Sequence, residues 1–300
     1  VVGGGVWELA QENRALNVKK VLVRREAPPL GETAVQDVEA ILRDTDIDTV
    51  VEVLGGLHPA YEWICRALAA GKDVVTANKA VISAYYRELT ALACENRVAL
   101  RCTAAVGGGI PWLVNLQRCR RVDTVTEVGG IMNGTTNFIM DAMARQGADF
   151  PAVLQRAQEL GYAEADPSAD IDGDDIRRKL TISANIAFDA LLREEDIPAF
   201  GIRTVTGADV ADFRAHGFTC KLLACAQRTE TGVVAYVEPA LVAEGEPEAA
   251  VPGNYNLISC TGELLGRQSY FGQGAGRYPT AANVVQDCLD LLTGEDGFYT

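Results

Sequence analysis

The sequence has almost no histidine, no closely spaced cysteines and no surplus of positive charge. Only two of its 300 residues are histidines, and neither lies near a cysteine pair, so the usual zinc-ligand patterns are excluded. The eight cysteines include no CxxC pair. Because most of them lie within apolar runs, we expect free, buried thiols in a protein of the reducing cytoplasm.

The charge balance and the hydropathy pattern count against two further classes of protein. Asp and Glu number 41 against 27 Lys and Arg, a net charge of −14, whereas a nucleic-acid-binding surface needs a basic stripe. No apolar run approaches the roughly 18–20 residues that span a bilayer, and no signal peptide opens the chain. We therefore expect neither a nucleic-acid partner nor a membrane. An anionic cofactor stays compatible, because backbone N–H groups at a helix N-terminus bind phosphate locally.

Residues 1–103 alternate between helix-like and strand-like segments. Helices are predicted at 3–17, 34–43, 58–70 and 83–96, and strands at 18–23, 48–54, 73–77 and 98–103. The strands are near-continuous apolar runs, which indicates a parallel sheet with helices on both faces. The pattern predicts a Rossmann-type α/β domain over residues 1–121. Ligands bind such a sheet at the carboxyl ends of its strands, which here selects the loops at 55–56, 78–79 and 104–111.

The pattern changes after residue 121 and predicts an α+β domain for substrate binding and dimerisation over residues 122–278. Strands are predicted at 122–132, 221–242 and 258–271, and helices after Asn133 and at 150–160 and 174–192. Asn133, Thr135 and Thr136 are residue types that cap a helix N-terminus. A final amphipathic helix at 279–300 is predicted to return to the first domain.

The chain opens with VVGGGVWELA, which is similar to the last part of a GxGxxG turn with Gly3 as its third glycine. The first strand and the first two glycines are then expected upstream of Val1. The next predicted strand ends in Arg24 and Arg25, where NAD-specific sites often place an acid. Arginine suits a 2′-phosphate, so NADP is favoured over NAD, although a solvated strand end would carry the same residues.

An acid-rich stretch, LGYAEADPSADIDGDDIRRKL at 160–180, contains a single lysine, Lys179. Asp175 and Lys179 are four residues apart and share a helix face. Carboxylates around one lysine would suit a small zwitterion with a polarised oxygen, while a solvated surface ion pair is the plainer alternative. A calcium loop starting at Asp170 would need glycine at its sixth position, where Asp175 stands, so that interpretation is excluded.

Five motifs together resemble homoserine dehydrogenase in order and spacing. They are TANKAVIS at 76–83, AAVGGGIP at 104–111, GIMNGTTNFI at 130–139, the acidic stretch at 160–180 and FGQGAGRYPTAANVV at 271–285. The resemblance implies reduction of aspartate 4-semialdehyde to homoserine with NADPH or NADH, a branch step of threonine and methionine synthesis. It also implies a homodimer. Many members carry a C-terminal ACT domain; this sequence stops at Thr300 without one, so threonine feedback through such a domain is not expected.

The resemblance also implies roles for individual residues. Lys179 matches the catalytic lysine, and Lys79 a second lysine near cofactor and substrate. The substrate-binding positions are Gly161, Glu164, Asp170 and Asp175. The cofactor-binding positions are Val1, Val2, Gly3, Arg24, Leu54, Gly55, Lys79, Gly161 and Gly276. The backbone oxygens of Val106, Gly108 and Ile110 match ligands of a monovalent cation, Na⁺ or K⁺, whereas Thr103 stands where the family usually has a Glu ligand.

The chemistry of the residues agrees with these roles. A lysine ammonium beside the carbonyl oxygen would stabilise the developing alkoxide and donate the proton. Glu164 and Asp175 would then bind the substrate ammonium, and one of Asp170, Asp172 and Asp174 would orient Lys179. Both histidines, His58 and His216, lie outside the motif and are expected to be structural.

Two other functions compete with this one. A different semialdehyde or amino-acid dehydrogenase could use a similar scaffold, but aldehyde oxidation through a thioester would need a cysteine close to a histidine, and no strong pair is visible. A dinucleotide sensor without activity would instead show an exposed apolar patch in place of the acidic pocket.

Overall fold

The computed structural model describes residues 1–25 and 27–294, and its chain forms two compact units. The first unit comprises Val1–Gly109 together with Gly276–Thr300, and the second comprises Ile110–Ala275. No helix within the described residues is long and apolar enough to cross a membrane.

The first unit is built from alternating helices and parallel strands. Its elements before residue 110 are α1 (Val2–Glu12), β1 (Val21–Leu22), β2 (Ala34–Val35), α2 (Glu39–Leu42), β3 (Thr49–Glu52), α3 (Ala60–Ala69), β4 (Asp73–Thr76), α4 (Lys79–Asn96) and β5 (Leu100–Arg101). Strands β3, β4 and β5 form a parallel sheet, and β1 pairs in parallel with β2. The Rossmann-type parallel arrangement is thus confirmed.

The predicted helix at 34–43 is wrong in its first half. Ala34 and Val35 form β2 because they pair with Val21 and Leu22. The helix begins only at Glu39, whose backbone N–H donates a hydrogen bond to the side chain of Asp37 at 2.9 Å. Although the apolar residues at 34–43 have helical spacing, the first two form a strand because they pair with another segment of the chain.

The second unit packs helices on an antiparallel sheet. Its elements are α5 (Trp112–Arg120), β6 (Val125–Ile131), α6 (Gly134–Gln146), α7 (Phe150–Glu159), α8 (Ser168–Ile171), α9 (Asp174–Phe188), α10 (Gly207–Ala215), β7 (Phe218–Thr229), β8 (Gly232–Ala243), β9 (Tyr255–Gly262) and β10 (Gly266–Gln273). The sheet order is β10-β9-β6-β7-β8, and every neighbouring pair is antiparallel. The prediction of a second, α+β domain is confirmed.

Each of the two long predicted strands, at 221–242 and 258–271, is a hairpin instead. The first reverses between Thr229 and Gly232 and the second between Gly262 and Gly266. The first turn, Glu-Thr, lacks the Asn-Gly or Asp-Gly signal of a two-residue hairpin loop, so the sequence conceals it. Helix α10 was not predicted either.

Strand β6 lies in the middle of the sheet and needs glycine there. A Cβ atom at Gly129 would lie 2.3 Å from the backbone oxygen of Ala224, and one at Gly130 would lie 2.3 Å from that of Leu257. Both neighbouring strands therefore approach β6 more closely than any side chain would permit. This strand leads directly to Met132 and Asn133.

The first boundary between the units falls before α5, not at residue 121 as expected. Helix α5 belongs to the second unit because its Trp112 is fully buried and donates from Nε1 to Ser183 Oγ in α9 at 2.9 Å. The chain returns to the first unit in α11 (Arg277–Leu292), which packs on α1. The helix predicted at 279–300 thus ends at Leu292, and positions 295–300 of that prediction lie outside the described residues. Gly5 makes that contact possible, since a Cβ there would lie 3.0 Å from Ala281 Cβ and 3.1 Å from the backbone oxygen of Arg277.

One lysine that the sequence analysis did not single out is completely buried in the second unit. Lys221 Nζ donates to Asn137 Oδ1 at 2.8 Å and to the backbone oxygen of Val251 at 2.9 Å. Burial lowers the pKa of Lys221 to about 8, because desolvation disfavours the charged ammonium.

Replacing Lys221 by methionine should change the pH dependence of stability. Between about pH 8 and 10 the unfolded lysine binds more protons than the folded one, so wild type should gain stability relative to Lys221→Met as pH rises. The gain should reach up to about 3 kcal/mol, measured by urea unfolding at pH 7.5, 9 and 10. Lys19, whose pKa is raised by Asp44 and Asp46, supplies the control, because it keeps its proton in both the folded and the unfolded state over most of this range, so the stability difference between wild type and Lys19→Met should stay nearly constant with pH. Parallel curves for wild type and Lys221→Met would contradict the prediction.

Candidate active site

The ammonium of Lys179 is held by two oxygen atoms inside the second unit. Its Nζ atom donates to Asp175 Oδ2 and to the backbone oxygen of Met132, both at 2.7 Å. Lys179 and Asp175 are only 6% and 4% exposed. The predicted i,i+4 pair on α9 exists, therefore, and it is a buried ion pair rather than a solvated one.

Asn133 joins two carboxylates of the acidic stretch. Its Nδ2 atom donates to Asp170 Oδ1 at 2.8 Å and to Asp175 Oδ2 at 2.9 Å. Its Oδ1 atom accepts from the backbone N–H of Thr136 at 2.9 Å and so caps α6. The sequence analysis identified only the cap, because the acids lie 37 and 42 positions further along the chain and no local spacing connects them.

The pKa of Asp170 is raised by its surroundings. Burial is the largest cause, and the neighbouring charge of Asp175 adds to it. Hydrogen bonds from Asn133 and Thr135 and the positive charge of Lys179 act in the opposite direction. The ionisation of Asp170 thus depends on how well these three partners are placed.

The structure removes Asp172 and Asp174 from the candidates for orienting Lys179. Asp172 pairs with Arg203, and Asp174 Oδ1 accepts from Arg177 at 2.6 Å. Both carboxylates are partly solvated and belong to ion pairs near the surface. The expected role falls instead to Asp175, which contacts the ammonium directly.

Gly161 and Glu164 lie between α7 and α8 and are exposed. Gly161 has a φ of 74° and open space where a Cβ would stand, a backbone conformation that favours glycine. The backbone oxygen of Glu164 accepts from Gln158 Nε2 at 3.1 Å. Its carboxylate is therefore carried on a surface segment that α7 anchors through the backbone.

In the first unit, a buried polar network holds the carboxyl ends of β3 and β4. Glu52 Oε2 accepts from Thr76 Oγ1 at 2.6 Å, and Glu52 Oε1 accepts from the backbone N–H of Leu54 at 2.7 Å. Asn78 Nδ2 donates to the backbone oxygen of Gly56 at 2.8 Å. The loop after β3 is thereby fixed to the residue that precedes α4.

The remaining predicted cofactor residues of the first unit lie at helix starts, at strand ends and in the loop after β3. They are Val1 and Val2, Gly3, Arg24, Gly55, Lys79 and Gly276. A Cβ at Gly3 would stand 3.2 Å from Val53 Cγ2, which lies just beyond β3. Gly55 and Gly56 have φ of 80° and 76° with open space around them. Helix start and loop thus present bare backbone, as the close approach of a dinucleotide requires.

Two residues of this set, Lys79 and Arg24, have basic side chains. Lys79 is the first residue of α4 and is half-buried, directly after the capping residue Asn78. Arg24 is exposed two residues beyond β1, and Arg25 next to it is exposed as well. Arg24 thus places an exposed cation beyond the carboxyl end of β1, on the surface of the first unit.

Thr103 does not replace the family's glutamate as an acidic ligand. Its Oγ1 donates to Asp287 Oδ1 at 2.6 Å, and its backbone N–H donates to Asp287 Oδ2 at 2.9 Å. Asp287 also accepts from Arg101 Nε at 3.0 Å. This buried triad ties β5 to α11 within the first unit.

Two of the three carbonyl groups predicted to bind a monovalent cation already accept hydrogen bonds. In the first unit, Gly108 O accepts from Asn283 Nδ2 at 2.6 Å. In the second unit, Ile110 O accepts from the backbone N–H of Trp112 at 2.7 Å. A carbonyl oxygen has two lone pairs. Each of these two oxygen atoms can therefore bind a cation with the lone pair that its hydrogen bond leaves unused. The described residues contain no cluster of three or more His, Cys, Asp or Glu arranged for a metal ion.

Both histidines make surface contacts with residues nearby in the chain. His58 Nδ1 lies 2.7 Å from Glu62 Oε1, and His216 Nδ1 lies 2.8 Å from the backbone oxygen of Asp212. Each is an exposed contact between residues four positions apart in the chain.

A parallel sheet with bare backbone at its carboxyl edge, and an α+β unit with a buried lysine among carboxylates, define a dinucleotide-dependent oxidoreductase. Comparison with known proteins makes the class specific. A family model described as "Homoserine dehydrogenase" matches residues 111–289, and one described as "Homoserine dehydrogenase, NAD binding domain" matches residues 1–102. The chain belongs to the homoserine dehydrogenase family. Members of this family are NAD(P)-dependent oxidoreductases that act on a CH–OH group.

Individual relatives agree over almost the whole chain. The homoserine dehydrogenase of Synechocystis sp. is 41% identical over 97% of this chain and 71% of its own length. That of Bacillus subtilis is 36% identical over 97% and 70%. The crystal structure of a homoserine dehydrogenase from Thiobacillus denitrificans superposes on this chain with a TM-score of 0.94, at 36% sequence identity. The superposition includes 100% of this chain and 74% of the Thiobacillus denitrificans chain. The family resemblance found in the motifs is confirmed.

Removing the carboxylate of Asp287 should destabilise the protein. Arg101 is 1% exposed, and Asp287→Ala takes away the carboxylate that its Nε contacts, so the free energy of unfolding should fall by about 3–5 kcal/mol. Asp290, which accepts from Arg101 at 2.7 Å but is better solvated, provides the matched control. Asp290→Ala should cost clearly less in the same denaturant titration. Equal losses for the two variants would contradict the buried-triad interpretation.

Proposed function

We propose that this chain interconverts L-aspartate 4-semialdehyde and L-homoserine with a nicotinamide dinucleotide, in the synthesis of threonine and methionine. The observation that carries the proposal is the buried ammonium of Lys179 between Asp175 Oδ2 and the backbone oxygen of Met132. Homologous proteins bearing the same family name support the substrate assignment. A cytoplasmic location remains a prediction.

Lys179 is the proposed acid–base catalyst. In the reductive direction its ammonium stabilises the negative charge that develops on the carbonyl oxygen and then donates a proton to the alkoxide. In the oxidative direction the neutral amine accepts the hydroxyl proton. Asp175 and the Met132 carbonyl fix the position of Nζ for both steps, since a group held by two hydrogen bonds on packed elements loses little freedom on reaction. Lys79 is proposed as the second catalytic lysine.

The proposed substrate-binding residues are those of the acidic stretch. Asp170 and Glu164 are the carboxylates proposed to pair with the substrate's α-ammonium, and Asp175 does so while holding Lys179. Gly161 contributes backbone without a side chain. The net negative charge around this segment favours a cationic ammonium over a simple aldehyde, which supports an amino-acid substrate.

The proposed cofactor is NADP(H), with NAD(H) as the alternative. When bound, it supplies the hydride. The bare backbone at Gly3 and at Gly55 would approach the pyrophosphate, and Gly276 would lie against the cofactor. Arg24, exposed beyond β1, would pair with a 2′-phosphate. The carbonyl oxygens of Val106, Gly108 and Ile110 are proposed to share a monovalent cation, Na⁺ or K⁺, without a part in the chemical steps.

A homodimer is the proposed assembly. The five-stranded sheet of the second unit carries exposed apolar side chains on its outer strands, Val234 and Leu241 on β8 and Phe271 on β10. Exposed apolar side chains on the two edge strands of a sheet suit pairing with a second copy along an edge. Sedimentation equilibrium should give twice the mass of one chain, whereas a single-chain mass at micromolar concentration would contradict the dimer.

Replacing Lys179 by alanine should abolish most of the activity. We expect kcat for NADPH oxidation with aspartate 4-semialdehyde to fall by about 10²–10⁴-fold, followed by absorbance at the nicotinamide band. Arg178→Ala is the matched control, because Arg178 is the adjacent cation of α9 and pairs with Glu194. That variant should keep near wild-type kcat. A Lys179→Ala enzyme with more than about a tenth of the wild-type kcat would rule out the assignment.

Homoserine oxidation should accelerate with rising pH. Lysine side chains in model peptides lose their proton near pH 10.4, and only the neutral amine accepts the hydroxyl proton. Initial rates of NADP⁺ reduction with homoserine should therefore rise between about pH 7 and 10. A flat profile over that range would count against Lys179 as the base.

A further inference from the structure

The side chain of Asn133 uses every hydrogen-bonding position that an amide has. Its two N–H groups donate to the carboxylates of Asp170 and Asp175, and its oxygen accepts from both the backbone N–H and the hydroxyl of Thr136. The residue is 5% exposed. A helix cap requires only the acceptor, which serine, threonine or aspartate would supply equally well. The two donors are therefore additional to the needs of α6.

The two N–H donors of Asn133 contact acids whose ionised forms are disfavoured by their surroundings. Asp170 and Asp175 are neighbouring, largely buried acids, and the charge of one opposes ionisation of the other. Asn133 lies between them and donates to both without adding a charge of its own. Asp175 Oδ2, the atom that accepts from Lys179 Nζ, is also the atom that Asn133 contacts.

We propose that Asn133 is a positioning residue of the reaction, which holds Asp170 and Asp175 side by side as a charged pair. Through Asp175 it fixes the ammonium of Lys179, and through Asp170 it keeps a carboxylate ready for the substrate's α-ammonium. This inference rests on the proposed function, because it assigns the acids to that substrate. It adds a residue that holds the acids in place without itself touching the reacting atoms.

The groups that face Asp170 determine how its pKa should change when Asn133 is replaced. These are Asp175 and Lys179 from α9 and Asn133 and Thr135 from the start of α6. The hydrogen bond from Asn133 lowers the pKa of Asp170, so its loss must raise that pKa further. A carboxyl group with a raised pKa stays protonated up to higher pH, and a protonated acid binds an ammonium poorly. Substrate binding should then fail on the acid side of the profile first.

The test compares Asn133→Ser with wild type in the reduction of aspartate 4-semialdehyde between about pH 5 and 8, where the lysine ammonium stays charged and the acid limb reports the carboxylates that bind the substrate. Serine keeps a capping oxygen for α6 but lacks the two donors. We expect the acid limb of kcat/KM for aspartate 4-semialdehyde to move upward by roughly one pH unit, and KM on that limb to rise by up to about tenfold, as loss of a hydrogen bond to a charged group implies. KM for the dinucleotide should stay within a factor of about two, because the cofactor-binding residues of the first unit are untouched.

A second variant keeps the proposal testable if Asn133→Ser folds poorly. Asn133→Asp retains an excellent cap and replaces the donors by a third carboxylate, so its acid limb should move further upward than that of the serine variant. Thr206→Ala is the control for stability alone, because Thr206 caps α10 of the same unit and accepts from the backbone N–H of Asp209 at 3.2 Å. It should lower the unfolding temperature without altering KM or the pH profile.

Two outcomes would overturn the inference. One is an Asn133→Ser or Asn133→Asp enzyme whose KM and acid limb match wild type. The other is a loss of activity that only follows the loss of stability, as in Thr206→Ala. Failure of the proposed function looks different, because wild type itself would then not oxidise homoserine, or Lys179→Ala would be as active as wild type.

Discussion

The buried ion pair between Lys179 and Asp175 is the interaction around which the second unit is arranged. Removing two charges from water costs several kcal/mol for each ion, and their mutual attraction offsets this only when further hydrogen bonds are present. Here the ammonium also donates to the Met132 carbonyl and the carboxylate also accepts from Asn133. The end of β6, the start of α6 and the first turns of α9 are held together by those few contacts.

The first unit also contains buried carboxylates, and each of them accepts hydrogen bonds from neighbouring residues. Glu52 is satisfied by Thr76 and by the backbone of Leu54, and Asp287 by Arg101 and Thr103. Such groups are costly when any partner is missing, so they define one arrangement of strand ends and helices. The loops that a dinucleotide would approach are thereby attached to well-ordered elements.

The sequence supported the prediction of most features that depend on local patterns. The alternation of strands and helices in the first unit, the closing helix α11 and the Asp175–Lys179 pair on α9 all follow from periodicity within a few residues. Features that depend on distant partners were missed. Ala34 and Val35 became a strand because β1 lies beside them, and α5 joined the second unit because Trp112 packs under α9. The hairpin between β7 and β8 was hidden because its turn lacks a typical dipeptide.

The sequence by itself determined which residue types stand in the acidic stretch and that Asp175 and Lys179 share a helix face. Only the tertiary structure decided that this face is buried, and that Asp172 and Asp174 are occupied by Arg203 and Arg177 instead. The physical reason is that burial and partner choice are set by elements far away in the chain. The Met132 carbonyl reaches Lys179 across 47 positions, and Asn133 reaches the two acids from the end of a strand that is itself placed by its neighbours in the sheet.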